Sequence, residues 1–230
     1  MNLFSFLNLI PSSCPICQGK SHKGFFCSHC TQTLLDQHIQ HPRCSFCHAY
    51  LIRQRCPNCS QRLTQIKQLY HLFDYIPPWS YLIWQFKNQQ ATHLAQAFAQ
   101  FAWEKQEAHL FTLPQDAVLI PIPTNPRSLY KRGYNPAQVF AQNLSKKFQL
   151  PLATGYLKRI GNQKKSSLKK SERFTKDKSQ YYCDAWVPHP TVILVDDIYT
   201  TGKTLHLASR ALQSSGVQTI YGLVIARSQF

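Results

Sequence analysis

Apolar and polar residues along this chain form four short apolar runs that alternate with four stretches of helical spacing. Residues 65–75 have an extended, mixed character and open the series as a strand, which Pro77 and Pro78 close. Residues 79–87 and 91–105 read as helices. In the second, Leu94, Ala97, Phe98, Phe101 and Ala102 share one face, which marks core rather than a platform for nucleobases. Residues 117–122 are the next strand, and residues 136–148 a helix with proline in its first turn. Val192, Ile193, Leu194 and Val195 have the composition of a strand buried on both faces. Leu205, Ala208 and Leu212 then recur at helical spacing up to Gly216, a C-terminal cap, and residues 217–226 form the last strand. Strands that alternate with helices predict an α/β fold with a mainly parallel sheet flanked by helices.

The polar residues that break this pattern are most telling after Val195. Asp196 and Asp197 stand where the strand is expected to end, and Tyr199, Thr200, Thr201, Gly202, Lys203 and Thr204 turn the chain into the helix. Loop amides and a helix N-terminus favour a phosphate there, and the carboxylates suit hydroxyl groups or a hydrated metal ion. The Gly-Lys-Thr is not a P-loop: that motif needs glycine five positions before Gly202, and Asp197 there both obstructs the backbone wrap and repels a phosphate. A plain turn whose acids cap the helix is the alternative. The order of apolar strand, two acids, an apolar residue, Thr-Thr-Gly and a hydroxyl residue resembles the signature of type I phosphoribosyltransferases. That resemblance implies that Thr200, Thr201, Gly202, Lys203 and Thr204 hold the 5-phosphate of phosphoribosyl pyrophosphate. It also implies that Asp196 and Asp197 face the ribose hydroxyls as the catalytic pair, with Mg²⁺ bridging hydroxyls and pyrophosphate. Lys203 stands where that family has a small residue.

At 230 residues and 43% hydrophobic content, the chain is long and apolar enough for one or two folded domains. Its charge is one-sided, with 26 Lys and Arg against 10 Asp and Glu and a net charge of +16. The sign points to polyanions, whether nucleic acid, phosphorylated substrates or an anionic membrane face; a solvated basic surface is the bland reading. Residues 1–10 are apolar but short, and no basic region precedes them, so neither a signal peptide nor a membrane span is expected. A soluble protein follows from that reading.

Eight of the nine cysteines form four Cys-x-x-Cys pairs: Cys14 and Cys17, Cys27 and Cys30, Cys44 and Cys47, Cys56 and Cys59. Each pair points two thiolates at one ion, and two pairs complete the tetrahedral site that structural zinc takes. Nine residues separate the first two pairs and eight the last two, which predicts two zinc ribbons in sequence, with crossed pairing as the other arrangement. Disulfides need an oxidising compartment, and iron-sulfur motifs usually have other spacings. His22, His29 and His48 lie near enough to replace a thiolate, but eight cysteines already fill two sites. Cys183 has no sequence partner. Residues 1–62 carry little apolar content, so metal is expected to supply most of their folding free energy, and residues 63–230 form the second domain. Lys20, Lys23, Arg43, Arg53, Arg55 and Arg62 against Asp36 make the first segment basic by five charges, which suits nucleic acid as well as it suits docking.

Two polar stretches complete the pattern. Residues 120–138 read I-P-I-P-T-N-P-R-S-L-Y-K-R-G-Y-N-P-A-Q, a proline-stiffened loop with Arg127, Lys131 and Arg132 that can hold a pyrophosphate or be a solvated turn. Residues 158–178 hold nine basic residues and two acids and read as an exposed loop or a solvated linker. Pro-x-Pro, Pro-Arg and Arg-Gly-aromatic-Asn-x-Ala, with Phe86-Lys87 before them and Leu168-Lys-Lys-Ser-Glu-Arg173 after, resemble the ComF and GntX family. With the four cysteine pairs the resemblance covers nearly all 230 residues. It implies a type I phosphoribosyltransferase-like domain preceded by a small double zinc-ribbon domain. In it Arg127, Arg132, Gly133 and Asn135 belong to a pyrophosphate loop, and Arg173 to a lid over the substrate. Lys165 replaces the usual glutamine of that lid, and Asp177 lies near an expected asparagine. The family is linked to natural transformation. It therefore implies handling of incoming single-stranded DNA in the cytoplasm, with other DNA-uptake proteins at the inner membrane as partners and a peripheral location there. The 29 aromatic residues could supply stacking platforms for such a strand. The alternatives it leaves are an active phosphoribosyltransferase on an unidentified acceptor and a GntX-like role in metal, cluster or gluconate metabolism.

Overall fold

The computed structural model describes residues 12–39, 42–47, 50–56, 65–160 and 181–228. Residues 1–10, Cys59, the domain boundary placed after Arg62, and the motif from Leu168 to Arg173 lie outside them. The chain opens with a hairpin of β1 (Ser12–Ser13) and β2 (Lys20–Ser21), then α1 (Ser28–Ile39). After β3 (Gln68–Asp74) come α2 (Trp79–Asn88), α3 (Leu94–Glu107), β4 (Val118–Pro121), α4 (Pro126–Arg132) and α5 (Pro136–Phe148). A short antiparallel pair, β5 (Leu157–Arg159) and β6 (Tyr181–Cys183), precedes β7 (Thr191–Tyr199), α6 (Lys203–Gln213) and β8 (Thr219–Arg227).

β3, β8, β7 and β4 form one parallel sheet in that order. Val192, Ile193, Leu194 and Val195 are all fully buried, as a strand covered on both faces requires. One face packs against α3 and α5 through Phe98, Phe101, Phe140 and Leu144; the other packs against α6 through Leu205, Ala208 and Leu212. The apolar face read on the second helix is therefore core. This is the parallel sheet flanked by helices that the alternation of strands and helices predicts.

Three elements differ from the sequence reading. β7 does not end at Val195. Its pairing with β4 stops at Val195↔Pro121, but its pairing with β8 runs on through Asp196↔Val224 to Tyr199↔Arg227, so the acids sit inside the strand with one edge uncovered. The proline-rich loop contains a seven-residue helix, α4, whose Asn125 cap accepts the Arg127 amide at 2.9 Å and which ends at left-handed Gly133. Lys158 and Arg159 are strand residues rather than loop.

The cysteine-rich segment adds more to the core than its composition suggests. Cys14, Phe26, Cys30 and Leu34 join the same buried cluster as the sheet and α3. The Phe26 ring stands edge-on to Phe73 at 6.0 Å, to Trp79 at 6.1 Å and to Phe101 at 5.8 Å. Phe26→Ala is expected to cost roughly 3–5 kcal/mol, the usual penalty for emptying an aromatic site, measurable as a lowered denaturant midpoint with unchanged m-value. The second cysteine segment is tied on by polar contacts: Leu69 N donates to Phe46 O at 3.0 Å, and Arg43 meets Asp74 at 3.3 Å with both side chains nearly buried. No helix among the described residues is long and apolar enough to cross a membrane.

Candidate phosphate site and cysteine clusters

The C-terminal ends of the adjacent strands β4 and β7 open into a cavity of about 190 Å³. That is smaller than the ~300–1,000 Å³ of pockets for whole drug-sized ligands, so it accommodates a sugar phosphate or one end of a longer ligand. β7 supplies Asp196 and Asp197, the loop after β4 supplies Ile122, Pro123 and Thr124, and Arg132 and Asn135 enter from the α4–α5 junction. Thr204 closes one side from α6, Lys87 another from the last turn of α2, and Arg159 and Tyr181 a third from β5 and β6.

Each side chain is held by local structure. Asn135 caps α5 by accepting the Ala137 amide at 3.2 Å, and its amide donates to Ile122 O at 2.9 Å, which fastens the helix start to the β4 loop. Tyr134 Oη donates to the carbonyl of Phe86, so the α4–α5 junction is anchored beside Lys87. Lys87 Nζ lies 3.0 Å from Asp197 Oδ2. Neither acid caps α6: Asp196 Oδ1 accepts the Asp197 amide and Asp197 Oδ1 the Ile198 amide. The helix instead begins at Gly202, left-handed at φ 78°, with no side-chain cap among the described residues, so its first amides face the turn. A Cβ on Gly202 would meet Tyr199 Oη at 2.5 Å, so glycine is required by contact as well as by backbone conformation.

The electrostatics set the two acids apart. Burial, and then the neighbouring charge of Asp197, push the Asp196 carboxyl up to about 8, against the pull of the Asp197 amide, Lys87 and Arg159. Asp196 keeps part of its surface open to the cavity, so burial acts on it less severely than on an interior carboxyl. Asp196 therefore holds a proton near neutral pH until a cation takes its place. Such an acid pair ringed by Lys87, Arg132 and Arg159 can hold sugar hydroxyls and a hydrated Mg²⁺ on one side and phosphate oxygens on the other.

Of the residues singled out from sequence, Asp196, Asp197, Arg132, Asn135 and Thr204 meet at this cavity. Thr200, Thr201 and Lys203 are exposed on the neighbouring turn, with Gly202 buried beneath them. Arg127 and Gly133 are exposed on or next to α4, off the cavity wall, and Arg173 is among the residues not described. Sequence reasoning gave no site role to Lys87, Arg159 or Tyr181, and placed Thr124 only within the loop of residues 120–138. Lys87 was visible only as half of the Phe-Lys pair, and Arg159 was lost among the basic residues around it.

The cysteines form two clusters in chain order. The sulfurs of Cys14, Cys17, Cys27 and Cys30 lie within 4.8 Å of one another, as do those of Cys44, Cys47 and Cys56. Cys17 and Cys27 stand 3.7 Å apart and Cys47 and Cys56 3.5 Å, close to the ~3.8 Å edge of a tetrahedron with zinc–sulfur bonds of about 2.3 Å. Pairing is thus sequential rather than crossed, and the clusters could bind zinc. Burial opposes ionisation of Cys14, but the amides of Cys17, Cys27 and Ile16 overcome it and hold this thiol down at about 7. Burial and the neighbouring thiols push Cys30 the other way, well above its usual range. A cluster in which one thiol ionises at the expense of the next is one that a cation would settle. Cys183 lies on β6, half-buried and apart from both clusters.

The chain is similar in sequence to known proteins. Residues 135–228 match the family described as the phosphoribosyl transferase domain. Competence protein F of Haemophilus influenzae is 28% identical over 99% of this chain and 100% of its own length. Competence protein ComFC of Bacillus subtilis is 36% identical over 43% of this chain and 39% of its own length. DNA utilization protein YhgH of Salmonella typhimurium is 23% identical over 95% of this chain and 98% of its own length.

Proposed function

We propose that the chain is a ComF-type protein, that its cavity binds phosphoribosyl pyrophosphate with Mg²⁺ and that the protein handles incoming single-stranded DNA in natural transformation. The observation that carries the ligand reading is the meeting of an acid pair, a glycine-turned helix start and three basic side chains around one cavity at the ends of adjacent parallel strands. Asp196 and Asp197 take the ribose hydroxyls, the turn from Thr200 to Thr204 takes the 5-phosphate, and Lys87, Arg132 and Arg159 take the pyrophosphate oxygens. Mg²⁺ supplies charge neutralisation on the pyrophosphate when bound. Lys87 exchanges its pairing with Asp197 for a phosphate as the ligand enters.

The DNA role is supported by the names of the relatives and by a net charge of +16. Binding to a short single strand is expected to weaken about 20-fold between 50 and 200 mM salt if some three phosphates are neutralised. Fluorescence anisotropy reads this directly, and no binding at the lower salt would sink the DNA role. Thermal shift with phosphoribosyl pyrophosphate and Mg²⁺ tests the ligand, since a compound that binds only the folded chain raises the melting point.

A second reading, active phosphoryl-sugar transfer onto an unidentified acceptor, is favoured by the Asp196 carboxyl being held near the working pH. Pyrophosphate release from phosphoribosyl pyrophosphate should then depend on both acids, and release that persists in an Asp196→Asn, Asp197→Asn double variant would falsify it.

A further inference from the structure

Arg227, at the end of β8, is a charged residue with 1% of its surface exposed. Its Nη1 donates to the carbonyl of Cys47 at 2.9 Å, its guanidinium lies over the Tyr199 ring at 4.9 Å, and its Nε has no hydrogen-bond partner among the described residues. Tyr199 is its partner across the β7–β8 pairing, and the phenol of Tyr199 lies directly under Gly202, close enough to exclude a side chain there. One buried side chain thus spans from a member of the second cysteine cluster to the residue that supports the phosphate turn. Cys47, Tyr199 and Leu205, the last from the first turn of α6, belong to one buried cluster. An apolar residue would fill this space without the cost of burying a guanidinium.

We propose that Arg227 is a positioning residue that couples occupancy of the second cysteine cluster to the shape of the phosphate turn. Zinc held by three or more thiolates is a net anion, and it compensates the buried guanidinium through the adjoining Cys47 peptide. With the guanidinium held there, Tyr199 is fixed from below and Gly202 keeps the left-handed turn that starts α6. Without the metal the guanidinium loses the counter-charge on its Cys47 side, since Asp74, its neighbour across β3 and β8, is paired with Arg43, and the Tyr199 ring loses the contact that orients it. The inference rests on the reading of the turn as a sugar-phosphate site, and by reciprocity a bound sugar phosphate tightens the hold of the second cluster on zinc.

The test uses the zinc-loaded full chain, with phosphoribosyl pyrophosphate and excess Mg²⁺ titrated into wild type, Arg227→Met and Arg227→Lys, and zinc release to a chromogenic chelator followed with and without that ligand. Arg227→Met is expected to keep its zinc content and circular dichroism while losing about tenfold in affinity, a typical coupling, with Arg227→Lys in between. The ligand should slow zinc release from one of two sites in wild type and leave it unchanged in Arg227→Met, which a merely structural arginine would not produce. Equal affinity in wild type and a folded Arg227→Met overturns the inference alone. If Arg227→Met fails to fold, wild-type zinc release that is indifferent to the ligand overturns it. Wild type that binds no phosphoribosyl pyrophosphate overturns the site reading, and the inference falls with it.

Discussion

Loading the cysteine clusters with zinc and then removing it is expected to lower the melting temperature of the whole chain in one transition, rather than to unfold the first 62 residues and leave the rest intact. The reason is the path of the core. Cys14 is fully buried, Cys30 and Leu34 nearly so, and Phe26, just before the second cysteine pair, inserts its ring among Phe73, Trp79 and Phe101. Thr31 donates to Glu104 on α3. A cluster of four uncompensated thiols would loosen α1 and withdraw Phe26 from a shared core. Losing that ring alone costs roughly 3–5 kcal/mol, and at ~2–4 °C per kcal/mol for a chain of this length the melting point falls by about 6–20 °C. Calorimetry before and after chelation reads the shift. Two separate transitions, with the upper one unmoved, would show that the cysteine segment folds as an independent unit.

How far the sequence revealed the fold follows from how local each signal is. α5 was legible to its ends because its apolar face repeats over 13 residues and a proline marks its start. α4 was not, because it buries none of its seven residues and so leaves no periodicity to find. β5 and β6 are three residues each and pair with one another across residues 161–180, which neither alternation nor spacing can reveal. The true length of β7 was hidden by its acids: two carboxylates look like a strand end, yet β8 continues to pair beside them. At the site, glycine, threonine and paired acids carry order-dependent signals, so the turn from Thr200 to Thr204 stood out as a candidate phosphate loop. Lys87 and Arg159 resemble any solvated basic residue until the fold turns them into one cavity.

Asp196→Asn is expected to make the protein more stable and its ligand site weaker at the same time. In the folded chain burial, and then the charge of Asp197, raise the Asp196 carboxyl to about 8 from an ordinary value of 3.8. A carboxyl raised on folding contributes stability that is complete below its unfolded value and is lost as pH climbs through its folded value. Asparagine keeps the oxygen that accepts the Asp197 amide at 2.9 Å and removes the titration. The variant should therefore match wild type near pH 4, gain on it steadily up to pH 8 and hold a constant lead beyond. Because Asp196 is partly open to solvent, a lead of ~2–4 °C, equivalent to about 1 kcal/mol, is the expected scale. Ligand binding runs the other way. Wild-type affinity for phosphoribosyl pyrophosphate with Mg²⁺ should rise from pH 6 to pH 9 as Asp196 ionises, and the variant should lose both the affinity, by about 10- to 100-fold for one charge-assisted interaction, and the pH slope. Scanning fluorimetry and titration calorimetry across that range test both arms. A variant that melts below wild type at pH 8, or that binds with an undiminished pH slope, would mean that the proton resides elsewhere in the site.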